Sequence, residues 1–300
     1  MIKENKLAKK ISSGDFIVTA EFLPEASIES IDDNIINSFD KNITAVNVSD
    51  NPFGPVMSST AGSVALANKG IEAIYQIVTR DRNRIAIMSD LMGSASLGIK
   101  NVLCLSGYHQ TLAACPESSN VYDIDSIQLI NMVNKMNETG QLDNGTQIKG
   151  QFAMLVGAVA NPFLKPLDLN IIRIAKKIAA GAKFIQTQAV FHVNEFKEWI
   201  EALNADGLTE QTAILAGILP LESADEALHL CNKYTEFSIP DTIIDRMKSA
   251  GDVTLQKKEG IKICNEIITD IKTIKGIRGI HILSGGKERI VQDIIKGLKL

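Results

Sequence analysis

Short apolar runs alternate with longer segments of helical periodicity along this chain. Eight runs rich in Val, Ile, Leu and Phe predict buried parallel strands, because helices on the outside of a parallel sheet leave little room for polar positions. These strands are predicted at residues 16–22, 43–49, 71–79, 101–106, 152–159, 182–188, 213–219 and 277–283. Apolar positions recurring every three or four residues predict helices at 27–39, 59–68, 83–97, 125–139, 168–180, 193–203, 223–234, 241–248, 256–274 and 287–298.

Eight strand–helix units in 300 residues predict an α/β fold of the (β/α)8 TIM-barrel type. An open doubly wound sheet, the alternative, usually carries a glycine-rich turn after its first strand, whereas this chain reads EFLPEAS there. No Pro/Gly/Ser-rich linker divides the chain, so we expect a single barrel domain over residues 1–300, with residues 1–14 as a polar N-terminal extension. Chemistry in such a barrel is expected at the C-terminal ends of the strands.

Composition narrows the classes of function. The net charge of −4 and the lack of a basic face argue against nucleic acid as a partner. No apolar run reaches about 18 residues, so no membrane span is expected, and the polar N-terminus lacks the apolar centre of a signal peptide, which favours the cytoplasm. The four cysteines and four histidines are scattered without ligand spacing, so no metal site is expected.

A carboxylate stands at the end of the first predicted strand. Glu21 lies among Ala20, Phe22 and Leu23, and removal from water in such surroundings raises the pKa of a carboxyl group. A raised pKa suits a general acid. The alternatives are a solvated carboxylate or one that is paired with an arginine.

Polar residues end three other predicted strands. Amides and hydroxyls offer paired donors and acceptors, which suit the edge of a heterocycle such as a pterin or flavin. Ordinary loop capping is the alternative for each of them. The residues are Asn47, Ser49 and Asp50 after the second strand, Gln76 in the third, and Gln186 and Gln188 in the sixth.

Two segments are candidate anion sites. TRDRNR, residues 79–84, contains three arginines that could bind a phosphate or carboxylate in bidentate fashion, or could form a solvated loop held by Asp81 and Asp90. SGGKE, residues 284–288, opens the last predicted helix, where backbone N–H groups favour anions. A simple turn and helix cap is the alternative for SGGKE.

The order and spacing of eight segments resemble the methylenetetrahydrofolate reductase family over nearly the whole chain. RDRNR, YDIDS and GAVANPF are most similar to the branch found in acetogens and other anaerobes. The segments are TAEFLP, VNVSDNP, QIVTRDRNR, LGIKNVLCLSG, VYDIDS, VGAVANPF, AAGAKFIQTQ and AGILPL.

The resemblance implies a flavin-bearing barrel that passes a hydride from reduced FAD or FMN to 5,10-methylenetetrahydrofolate, giving 5-methyltetrahydrofolate, with NAD(P)H as a donor. Glu21 matches the glutamate that supplies the proton in the family. Together with the strand-end pattern, the resemblance gives two sets of candidates. Those for substrate binding are Gln76, Tyr108, Gln186 and Gln188, and those for cofactor binding are Asn47, Ser49, Arg80, Asn161 and Lys177.

One departure from the family pattern leaves a second function open. Where the family reads Gly-Asp after the fourth strand, this chain reads Gly107-Tyr108; a tyrosine could stack on a ring or donate one hydrogen bond. The chain could therefore be a flavin-free homologue that binds methyltetrahydrofolate or transfers its methyl group beside a corrinoid protein. The resemblance also implies an oligomer and, for the anaerobic branch, an iron–sulfur partner that supplies electrons. A purely scaffolding role is a third alternative.

Overall fold

The structure is a closed parallel barrel. This computed structural model describes residues 5–39, 42–112, 115–234 and 237–298. Each strand pairs in parallel with the next one along the chain, and the eighth closes on the first. The prediction of a (β/α)8 barrel is confirmed, with strands β1 (Ile17–Phe22), β2 (Ala45–Val48), β3 (Ala73–Val78), β4 (Asn101–Leu105), β5 (Leu155–Ala160), β6 (Phe184–Ala189), β7 (Ala213–Ile218) and β8 (Ile277–Ile282).

Helices surround the barrel, close to the predicted positions. The largest difference is at the helix predicted for residues 27–39, which begins only at Asp33, because the Asp32 side chain caps it by accepting the Asn34 N–H at 2.8 Å. The helices are α1 (Lys6–Ser13), α2 (Asp33–Ser38), α3 (Ser59–Asn68), α4 (Arg84–Ser96), α5 (Ser126–Thr139), α6 (Leu167–Ala179), α7 (Val193–Ala205), α8 (Ala224–Lys233), α9 (Asp241–Ser249), α10 (Val253–Ile271) and α11 (Arg289–Gly297).

Apolar side chains fill the lower part of the barrel interior, separate from the larger core between strands and helices. Phe184 occupies the centre of this inner cluster together with Ile17, Ile74 and Leu103. Gly157 on β5 makes room for it, because a Cβ there would lie 2.1 Å from the Phe184 ring. The interior is therefore packed below and can hold a ligand only near its upper end.

The predicted polar extension contains a helix that covers the lower end of the barrel. Leu7 of α1 is fully buried in the inner apolar cluster, and Ala8 and Ile11 pack beside it. Glu72 fixes the start of the helix by accepting the N–H groups of Lys6 at 2.6 Å and Leu7 at 2.9 Å. The covered lower end leaves the C-terminal ends of the strands as the open mouth.

The described residues contain neither a candidate membrane helix nor a candidate metal cluster. No helix within residues 5–39, 42–112, 115–234 and 237–298 is long and apolar enough to cross a membrane. The same residues contain no group of three or more His, Cys, Asp and Glu side chains placed to hold a metal ion.

Candidate active site

At the upper end of the barrel interior, the last inward-facing side chains of the strands form the floor of the mouth. This floor is polar on one side and apolar on the other. Side chains alternate between the inside and outside of each strand, and the last inward position on several strands is only partly buried. Glu21, Gln76 and Gln188 supply the polar part of this floor from β1, β3 and β6. Leu105 and Val159 supply the apolar part from β4 and β5, where they also pack on the inner cluster.

The Glu21 carboxyl group is held from two sides. Its Oε1 accepts a hydrogen bond from the Ser49 hydroxyl at 2.9 Å, and its Oε2 accepts the Gly285 N–H at 3.2 Å. Burial raises the pKa of Glu21 above its usual value; the two hydrogen bonds oppose that shift, and the nearby Glu288 carboxyl adds to it. Glu21 therefore retains its proton to higher pH than an ordinary glutamate, as a general acid requires.

Glu288 is a second buried carboxyl group that the sequence analysis missed. Its Oε1 accepts the Leu23 N–H at 3.1 Å and lies 3.4 Å from the Ser284 hydroxyl, and burial raises its pKa. Glu21 thus reaches from β1 to the loop after β8, while Glu288 reaches from that loop to the segment after β1. The chain places its own carboxyl groups at SGGKE, which corrects the expectation of an external anion there.

A buried polar layer lies directly below the floor. Asn47 and Gln186 exchange two amide hydrogen bonds, at 2.6 and 3.0 Å, and the Gln186 Nε2 also donates to the Thr19 hydroxyl at 3.1 Å. Thr19 is hydrogen-bonded in turn to His281 at 3.0 Å, and burial lowers the pKa of His281 to about 3, so that it is neutral. Asn47 and Gln186, expected at the ligand surface, are instead one layer below it.

Arg80, a candidate for cofactor binding, is bonded to other groups of the protein. Its side chain is 1% exposed and bonds Asp81 at 2.7 Å. It also donates to the backbone carbonyls of Asn51 at 2.8 Å and Tyr108 at 3.1 Å. The expectation for Arg80 is therefore wrong in this structure, because its guanidinium group is buried and holds the loops after β2 and β4.

The other two arginines of TRDRNR are also paired. Arg82 binds Asp50 through two hydrogen bonds of 2.7 and 3.1 Å and contacts Asp90 at 2.9 Å. Arg84 pairs with Asp123 at 2.9 Å on the surface. The alternative of a loop held by acidic residues describes this segment, although Arg80 is buried within it and not solvated.

The comparisons with known proteins give the family. A family model described as methylenetetrahydrofolate reductase matches residues 6–299. This chain belongs to the methylenetetrahydrofolate reductase family. The resemblance predicted from the sequence segments is thereby confirmed.

Two curated relatives carry the family name. The Caenorhabditis elegans protein named "Probable methylenetetrahydrofolate reductase (NADPH)" is 22% identical over 81% of this chain and 34% of its own length. The Schizosaccharomyces pombe protein named "Methylenetetrahydrofolate reductase 1" is 26% identical over 45% of this chain and 22% of its own length. The chain thus spans about a third or less of the length of these relatives.

Solved structures share the barrel. A Clostridium thermocellum protein that binds two copies of 5-methyl-5,6,7,8-tetrahydrofolic acid superposes with a TM-score of 0.67 at 17% identity, over 97% of each chain. An oxaloacetate acetylhydrolase superposes with a TM-score of 0.53 at 10% identity, over 97% of this chain and 82% of its own. At these identities the likeness shows a common fold.

Lys177, another residue expected to bind the cofactor, lies behind the barrel wall. Its Nζ donates to the Val159 carbonyl at 2.5 Å, and burial, helped by Arg173, lowers its pKa to about 8. The expectation for Lys177 is therefore wrong, because its side chain packs between α6 and β5. Asn161 is half-buried just after β5, where its side chain accepts the Phe163 N–H at 3.0 Å.

Four of the five expected flavin contacts are bonded to other groups of the protein. Asn47, Arg80 and Lys177 are bonded within the protein away from the mouth surface, and Ser49 is bonded to Glu21. Two of the four expected substrate contacts are better placed, since Gln76 and Gln188 lie on the same floor as Glu21. The half-polar floor suits a planar heterocycle in chemical character.

Proposed function

We propose that this chain binds a tetrahydrofolate at the mouth and interconverts 5,10-methylenetetrahydrofolate and 5-methyltetrahydrofolate. The observation that carries the proposal is Glu21, a half-buried carboxyl group of raised pKa on the same floor as two open amides, in a chain of the methylenetetrahydrofolate reductase family. The side chains of Gln76 and Gln188 have no hydrogen-bond partner among the residues that the structure describes. Their donors and acceptors match the amide-like edge of a pterin ring.

Glu21 serves as the proton donor in this proposal. Its proton goes to the nitrogen that leaves the methylene bridge, the carbon–nitrogen bond breaks with its electron pair on that nitrogen, and the remaining nitrogen forms an iminium with the one-carbon unit. Addition of a hydride then gives the methyl group, and in the opposite direction the Glu21 carboxylate takes the proton back. Ser49 and Gly285 orient the carboxyl group through these steps.

Reduction needs a hydride donor, and the purified protein can show which one it uses. The visible spectrum reports a bound flavin, whether FAD or FMN. Bleaching by NADH or NADPH and re-oxidation by methylenetetrahydrofolate report turnover. Glu21→Gln should lower turnover about 10²- to 10⁴-fold, while Glu29→Gln, an exposed control after β1, should retain it. Full activity of Glu21→Gln would contradict the proposed role of Glu21 as the acid.

A second candidate function is a flavin-free barrel that binds methyltetrahydrofolate or transfers its methyl group with a corrinoid or other partner protein. Two observations favour it. Four of the five expected flavin contacts are bonded within the protein, and Tyr108, which replaces the family aspartate, packs against Tyr234 with ring centroids 6.0 Å apart. A colourless protein that binds methyltetrahydrofolate without redox activity would support this function. A protein purified with stoichiometric flavin would exclude it.

A further inference from the structure

Aromatic side chains from separate loops meet above the mouth. Tyr234, at the end of α8, has its ring centroid 5.7 Å from that of Phe53, 6.0 Å from that of Tyr108 and 6.0 Å from that of Phe237. Tyr234 is the central ring, and only 5% of it is exposed. We call these four residues the aromatic bridge.

The aromatic bridge crosses the mouth from one side to the other. Phe53 follows β2 and Tyr108 follows β4, so both flank β3, whereas Tyr234 belongs to the connection after β7. In a closed barrel of eight strands in sequential order, β3 lies opposite β7. The contacts between these rings therefore span the opening, above the floor that contains Glu21.

One side of the bridge is firmly anchored. Arg80 donates to the carbonyl of Asn51, two residues before Phe53, and to the carbonyl of Tyr108 itself. Asp81, which pairs with Arg80, also accepts a hydrogen bond from the Gln110 side chain at 3.0 Å. A buried ion pair thus fixes the backbone of both loops that present Phe53 and Tyr108 toward Tyr234.

The two tyrosine rings must part before a third ring can lie between them. Tyr108 and Tyr234 are in contact, with ring centroids 6.0 Å apart and ring planes 34° apart. A planar ring between two others needs two van der Waals layers, so the tyrosine faces must stand about 7 Å apart. Ligand binding would then replace the contact between the two tyrosines with a three-ring stack.

We propose that the p-aminobenzoyl ring of a bound tetrahydrofolate inserts between Tyr108 and Tyr234. The inference rests on the proposed folate function and adds the residues that hold the second ring of the ligand. The pterin carries the heteroatoms that match Gln76 and Gln188 on the floor. The p-aminobenzoyl ring is joined to the pterin by a short CH2–NH link, so it lies above the floor, at the level of the aromatic bridge. Its phenyl face matches tyrosine faces.

Calorimetric titration with two ligands tests this placement. The ligands are 5-methyltetrahydrofolate and a 5-methyltetrahydropterin that lacks the p-aminobenzoylglutamate. Tyr234→Ala should weaken binding of the folate by about 5- to 150-fold, the range for loss of one aromatic stacking partner. It should change binding of the pterin by less than about twofold. Tyr234→Phe, which keeps the ring, should match the wild-type protein for both ligands.

Each outcome decides between the proposals. Circular dichroism checks the fold of the variants, and Tyr108→Ala, at a partly exposed position, should give the same ligand-selective loss if Tyr234→Ala does not fold. Equal losses for both ligands, or unchanged folate affinity, would overturn the inference and leave the folate function standing. A wild-type protein that binds neither ligand would overturn both.

Discussion

At the residue scale, the surroundings of Glu21 determine how its proton responds to pH. Its neighbours include hydrogen-bond donors from Ser49 and Gly285 and a second carboxyl group from Glu288, and burial outweighs the donors. The pKa in the folded protein is therefore above that in the unfolded chain, which is about 4.3. A group shifted in this direction stabilises the fold fully only below the unfolded pKa, and that contribution is lost as the pH rises through the folded pKa.

Glu21→Gln should consequently stabilise the protein relative to wild type as the pH rises. Glutamine keeps an oxygen for the Ser49 hydroxyl but carries no charge to bury. Thermal melts at pH 4 and pH 8 should show a more favourable difference for the variant at pH 8. The same difference at both values would contradict the raised pKa.

Glu288→Gln should shift the pH profile of the Glu21 proton. The variant removes the nearby like charge but retains an oxygen for the Leu23 N–H, so the pKa of Glu21 should fall. Two other charged groups lie around Glu288. The Glu25 carboxyl group raises the pKa of Glu288, and Lys287 is paired with Glu222 and Glu226. Turnover measured against pH should lose its high-pH activity earlier than in wild type. An unchanged profile would rule out this coupling.

Sequence patterns predicted which polar residues lie near the strand ends, but not whether each side chain faces the mouth or is buried below it. Glu21, Gln76 and Gln188 could be found because each is the last inward position before a strand ends. Gln186 lies one alternation below Gln188, and Asn47, although it is the last inward position of β2, is bonded to Gln186, which is 139 residues away along the chain. Arg80 and Lys177 could not be assigned, because the carbonyls that they bind belong to other loops and strands. Glu288 was hidden in a segment whose glycines suggested an anion site.

At the element scale, strands were predictable because their apolar runs are continuous, whereas α1 was not. Its few apolar positions, Leu7, Ala8 and Ile11, stand among lysines and serines. Leu7→Ala should lower the free energy of unfolding by about 2–5 kcal/mol, as for other buried leucines. Urea denaturation measures the change, and Lys9→Ala, an exposed control on the same helix, should leave it nearly unaltered. Affinity for methyltetrahydrofolate, at the opposite end, should stay unchanged in folded protein.

The loops after β2 and β4 depend on Arg80. Arg80→Ala leaves Asp81 and two backbone carbonyls without their partner, so the free energy of unfolding should fall by about 3–5 kcal/mol. Folate affinity should also fall, because the loops that carry Phe53 and Tyr108 lose their anchor. Arg84→Ala, which removes only a surface pair with Asp123, should have little effect on either quantity. Equal effects of the two substitutions would show that Arg80 has no special role.

At the scale of the whole molecule, four layers follow one another along the barrel axis below the aromatic bridge. The α1 helix covers the bottom, the apolar cluster around Phe184 fills the lower interior, and the layer of Asn47 and Gln186 supports the floor. The aromatic bridge lies above that floor. In the proposed function a planar ligand lies between Glu21 and the bridge, where it can reach the amides of Gln76 and Gln188 and a proton donor.

The most direct test of this account is a calorimetric titration of the purified protein with 5-methyltetrahydrofolate, comparing wild type with Gln188→Ala. The account predicts that wild type binds the folate. Loss of the Gln188 hydrogen bonds should weaken the affinity by about 5- to 150-fold, while Leu228→Ala, an exposed control on α8, should bind as wild type does. A wild-type protein without measurable affinity, or a Gln188→Ala variant that binds equally well, would contradict the proposal that the mouth is a folate site.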